Sequence, residues 1–253
     1  MLKGFWKLTW VELKIFVREP LGLAGTLAAP LLLFVLFSRL MKGDADAASA
    51  TATSTTNAAA PFNVAILAAL LIAINAVMSL IAIMAIYREG GILKRLRATP
   101  LSPLTILSAH VVVKLVLTVL SLMLLIGAGK RLFPGAMTVP FVSFAAAVLL
   151  GSLSILSLGF LIASMVPTSR FAQPIGAVVL YPMVALSGLF FPLRDLPTWL
   201  QVVASALPTT HAVALLQGVW DGSGWQAHAS DVVALALIFA VCSALATRWF
   251  RWE

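Results

Sequence analysis

Three histidines, one cysteine and a lysine inside an apolar run are the residues whose types could do chemistry here, and their spacing assembles none. His110, His211 and His228 stand apart, so they do not read as the clustered ligands of a metal site or as a catalytic constellation. The chain has no glycine-rich phosphate loop of the form G-x-x-x-x-G-K-[ST], no H-E-x-x-H and no paired cysteine motif. Cys242 is the sole cysteine, which excludes an intramolecular disulfide. No nucleotide, metal or catalytic site is legible, and an enzyme is not the expectation. Lys114 follows His110 by one helical turn and shares its face; snorkelling towards the nearer interface is its expected behaviour. Asn75, with Ser79 one turn later, either lines a polar cavity or bonds across helices, the second being favoured.

The elements that must position these residues are membrane helices. Of 253 residues, 61% are hydrophobic and 10% charged, with a mean hydropathy of +1.05, far outside the usage of soluble domains. A span needs roughly 20 mainly apolar residues to cross a hydrocarbon core about 30 Å thick. Six stretches qualify: 21–40, 62–86, 104–128, 140–166, 171–191 and 232–249. The expected fold is therefore all-α and integral to the membrane, a single transmembrane bundle over residues 1–253. Charged residues ahead of the first span argue against a cleavable signal peptide. The net charge of +8 follows topology, not nucleic acid. With the N-terminus inside, eleven of the seventeen basic residues fall on the cytoplasmic side, which favours both termini in the cytoplasm.

Outside the spans, three segments carry pattern. Residues 1–20 read as an amphipathic interfacial helix, with Lys3, Lys7, Lys14 and Arg18 in one sector and Leu2, Phe5, Leu13 and Phe16 opposite. Its apolar side is expected in the acyl boundary; Glu12, on that side, is the exception, and a purely topogenic basic tail is the other reading. The nearly uncharged segment at 43–60 reads as a low-complexity outer loop too poor in large apolar residues to order itself. Between 192 and 230, Pro192, Pro197 and Pro208 punctuate two apolar pieces too short to span, which reads as a helical hairpin dipping into the outer leaflet. Ala147, Gly151, Gly159 and Ala163, at multiples of four, form a small-residue stripe for close helix contact. The apolar parts of the spans from Phe62 onwards carry no Asp or Glu, which disfavours a proton- or sodium-driven carrier.

Between the second and third spans lies a charged island at 87–103, with Arg88, Glu89, Lys94, Arg95 and Arg97. Its framework of Arg88, Glu89, Gly91, Leu93, Leu96, Thr99, Pro100, Leu101 and Ser102 resembles the loop of the type-2 family of ABC exporter permeases. A second element, Gly188, Phe191, Pro192, Leu196, Pro197, Pro208 and His211, resembles the pattern that precedes the last span in that family. The family's loop opens on an acidic residue where this chain has Tyr87-Arg88-Glu89.

The resemblance implies the membrane subunit of a bacterial ABC efflux system, drug-efflux-like, in the cytoplasmic (inner) membrane. The implied function is ATP-driven export of a drug-like or lipid-like amphiphile, with sensing, membrane remodelling or polysaccharide export as alternatives. It implies a coupling helix over 89–97, with Ile92, Leu93 and Leu96 packing into a cleft on a separate ATPase and Lys94, Arg95 and Arg97 at the rim. The N-terminal helix would lie beside it. Partners would be two ATPase subunits, a second permease copy (identical or related) and the lipid bilayer, with no nucleic acid. This chain would bind no cofactor; ATP and Mg would sit on the ATPase. The outer hairpin, with Gly188, Phe191, Pro192, Pro197, Pro208 and His211, would act as the gate.

Overall fold

The structure is a computed structural model that describes residues 2–18, short stretches within 20–36, and 64–91, 103–132, 141–166, 168–189 and 192–249. Its elements are α1 (Leu2–Arg18), α2 (Val64–Glu89), α3 (Pro103–Leu132), α4 (Phe141–Met165), α5 (Ser169–Ala185), α6 (Thr198–Ser205), α7 (Pro208–Trp220), the short α8 (Gly224–Ala227) and α9 (Ala229–Trp249). A 3-10 turn, Leu193–Asp195, precedes α6. Most of the expected first span and the loop at 43–60 lie outside the described residues.

Local sequence sets the helix ends. α2 runs without Gly or Pro until Gly90, whose amide donates to the Ile86 carbonyl at 2.8 Å; Gly91 then takes φ +65, the left-handed turn that closes a helix. α3 and α7 begin on Pro103 and Pro208, where a missing N–H costs nothing. α5 contains Pro174 and Pro182 and is only 17 residues long, about 26 Å at the helical rise. It closes at Ala185 and not at the expected Phe191, through Ser187 and a Gly188 at φ +83.

Among the described residues four helices are long and apolar enough to cross a membrane, with windows at Ala69–Tyr87, Ser108–Ala128, Val142–Met165 and Ala229–Arg248. The α6–α7 pair, bent by 82°, would bring the number to five if taken as one broken span. Side-chain contacts fix the direction of each helix. At one end, Tyr87 at the close of α2 meets α1 and the opening turns of α3. At the opposite end, Ser143 near the start of α4 meets Trp225 of α8, and Met183 near the close of α5 meets Thr209 of α7. Successive long helices therefore run up and down.

The core surrounds α4, which packs against α2, α3, α7 and α9. Phe144, Ile155 and Leu156 of α4 lie in one buried cluster with Leu70, Leu80 and Ile81 of α2 and Leu235 of α9. The small-residue stripe does what its spacing predicts. A methyl group on Gly159 would overlap the Val77 side chain of α2, and one on Gly151 would come within 3.0 Å of the Ala212 methyl of α7. Bare backbone on α4 lets both neighbours close in.

Candidate functional site

α1 docks on α3 through a small apolar patch in which Phe16, with Leu13 beside it, meets Val113 and Leu117. That is a correction to the sequence reading, which put this side of α1 in the acyl boundary. Lys7, Lys14 and Arg18 face outward as expected, together with the exposed Trp6 and Trp10. Lys3 lies on the same helix.

The residue that looked misplaced, Glu12, is the centre of the contact. Its carboxylate is buried; Tyr87 Oη donates to Glu12 Oε1 at 2.6 Å, and His110 Nδ1 lies 3.5 Å from Oε2. The Tyr87 and His110 rings meet edge-on at 5.3 Å between centroids. Lys114 does not snorkel. It is 3% exposed, with Nζ 4.8 Å from the centre of the Phe16 ring. Beneath α1 it finds a carboxylate and a ring face, which replace the water that snorkelling would reach. Burial pushes the Glu12 carboxyl above the usual carboxylate range; the Tyr87 hydrogen bond and the Lys114 charge pull it back in part.

This cluster abuts the charged island. Tyr87, Arg88 and Glu89 form the last turn of α2, Glu89 is exposed, and Gly91 makes the turn that leaves it. Ile92, Leu93, Lys94, Arg95, Leu96, Arg97, Thr99 and Pro100 lie outside the described residues, and α3 resumes at Pro103. One hydrogen bond thus ties α1 to the first residue of the island.

At the opposite end the hairpin is bound to the bundle by polar contacts. Thr209 Oγ1 donates to the Met183 carbonyl at 2.8 Å, near the end of the proline-broken α5. His211 Nε2 donates to the Ser205 carbonyl at 2.9 Å, and His211 Nδ1 lies 2.7 Å from Asp231 Oδ1. Both ring nitrogens therefore meet oxygen atoms, one of a carboxylate and one of a backbone carbonyl. His228 Nδ1 meets the other oxygen of Asp231 at 2.9 Å. A methyl group on Gly218 would overlap the His228 ring, so this glycine admits the histidine. Pro192 and Pro197 flank the 3-10 turn; Phe191 lies outside the described residues.

A family model, that of the ABC-2 type transporter, matches residues 3–220. The chain belongs to that family. The match runs from α1 to the last residue of α7 and so takes in the Glu12 cluster, the island between α2 and α3, and Thr209 and His211 of the hairpin, but not His228 and Asp231. This ABC-2 chain is a multi-pass membrane permease subunit of an ABC transporter, a transport component that works with an ATPase subunit. No curated protein sequence matches it.

Of the residues picked from the ABC-2 sequence, Arg88, Glu89 and Gly91 fall together at the end of α2, and Gly188, Pro192, Pro197, Pro208 and His211 gather around the hairpin. Asn75 and Ser79 stand one turn apart on α2. Asn75 Nδ2 donates to the Leu71 carbonyl of its own helix at 3.0 Å, and neither residue borders the cavity among α3, α4 and α9. Two sets of contacts were missed in this permease. Glu12 and Tyr87 are 75 positions apart, and Asp231 and His228 were not connected with His211. The one available signal was a carboxylate on the apolar side of α1.

Proposed function

We propose that this ABC-2 permease subunit exports an amphiphilic substrate, drug-like or lipid-like, out across the bacterial cytoplasmic membrane. It does so as one of two permease copies driven by two copies of a separate ATPase, which binds ATP and Mg. In this reading the chain crosses the membrane six times with both termini in the cytoplasm. The island over 89–97 is the coupling helix, α1 is an interfacial helix beside it, and the α6–α7 hairpin is the outer gate.

The observation that carries the reading is the Glu12–Tyr87 bond, because it joins α1 to the residue that opens the island. A push on the island by a closing ATPase would move α1 and the first turns of α3 as one body. Few charges line the bundle, so the cargo would be held by apolar and aromatic contacts. Inside-out vesicles carrying the permease and its ATPase test this directly. ATP-dependent uptake of a fluorescent amphiphile is expected, and no ATP-dependent movement of any drug-like or lipid-like amphiphile would reject export.

A further inference from the structure

A cavity of about 400 Å³ lies among α3, α4 and α9, on the face of α3 turned away from α1. Leu115, Leu156, Phe160 and Phe239 make apolar walls, and the hydroxyls of Ser243 and Thr247 stand along the α9 side. Its volume falls within the range of built small-molecule sites. Left empty, such walls would lose their dispersion contacts, and water would find few partners among them. Its third wall, α9, has only 17% of its span buried, so the cavity adjoins a helix that the other described elements leave largely uncovered.

Charge selects the occupant. The start of α3, the end of α4 and the end of α9 lie at the α1 end of the bundle, but α1 and its cations are on the other side of α3, so the cation beside the cavity is one on α9. That cation, Arg248, is exposed and follows Thr247 directly. One exposed arginine beside an apolar slot with hydroxyls at the same end matches an acyl chain that carries an anionic headgroup.

We propose that this cavity is a bound-lipid site. It takes one acyl chain of an anionic glycerophospholipid from the leaflet at the α1 end, with the headgroup at Thr247 and Arg248. Only the naming of that leaflet as cytoplasmic rests on the transport reading.

The test is native mass spectrometry of the full-length chain in mild detergent, titrated with phosphatidylglycerol or phosphatidylethanolamine of identical chains. Ser243→Trp and Val112→Trp fill the cavity from two walls. Val241→Trp, at a position 52% exposed on the same helix, is the control. The wild type should retain one phosphatidylglycerol, both filling variants should bind it at least about tenfold more weakly, and the control should be unchanged. Arg248→Ala should reduce the preference for phosphatidylglycerol about fivefold. A filling variant that does not co-elute with the wild type is set aside and the other is read. Equal binding by the wild type and a folded filling variant, or no retention of either lipid by the wild type, overturns the site. Lost ATP-dependent transport with lipid binding intact would count against the transport reading alone.

Discussion

Glu12 shows how much one side chain can organise. Its carboxylate is buried between the Tyr87 hydroxyl and the His110 ring, so removing a partner leaves an acceptor that water cannot reach, at about 1–3 kcal/mol. Tyr87→Phe should loosen α1 by that amount, read as faster hydrogen exchange of the α1 amides with α4 unchanged. The pH dependence has a definite sign. Because burial raises the Glu12 carboxyl above its ordinary value of 4.5, its contribution to stability is fully present below that value and is lost as the pH rises through the raised one. As the pH rises above 4.5 the wild-type melting temperature should therefore fall by a step that Glu12→Gln removes, as checked by thermal unfolding in detergent. From the sequence, Glu12 was visible only as an anomaly on an apolar face. His110 and Lys114 were seen to share a helix face, but what covers that face is a tertiary fact that periodicity does not carry.

Helix α4 sets the spacing of its neighbours through absent side chains. Gly159→Ala would drive a methyl group into Val77, a β-branched side chain with little freedom to turn aside. The expected cost is about 1–3 kcal/mol, and Val77→Ala should recover most of it in the double variant. A double-mutant cycle on unfolding free energy checks this, and additive losses would mean that the two helices do not meet there. This stripe was legible because residues four apart on a helix share a face. The starts of α6 and α7 were legible too, since Pro197 caps the first and Pro208 opens the second. The end of α5 was not. Hydropathy carried that helix on to Phe191, whereas the proline at 182 removes an amide donor from its last turns and Thr209 caps the Met183 carbonyl from outside. The reach of an apolar run and the reach of a helix are different quantities.

At the scale of the whole molecule, the two polar clusters lie at opposite ends of an up-and-down bundle whose core is α4. Composition and apolar runs were enough to recognise a membrane bundle, and the island together with the proline-rich hairpin pointed to the family that the match over 3–220 establishes. The link between α1 and the island was hidden, because it depends on Tyr87 and Glu12 meeting across 75 positions. The central claim is that the island seats this subunit on a separate ATPase. Its most direct measurement is co-purification of the ATPase with the Leu93→Asp and Leu96→Asp double variant, scored beside membrane insertion. A charge at each packing position of a desolvated cleft costs several kcal/mol; the prediction is that the ATPase is lost while the permease still inserts at the wild-type level. Undiminished co-purification of the ATPase with a normally inserted double variant would contradict it.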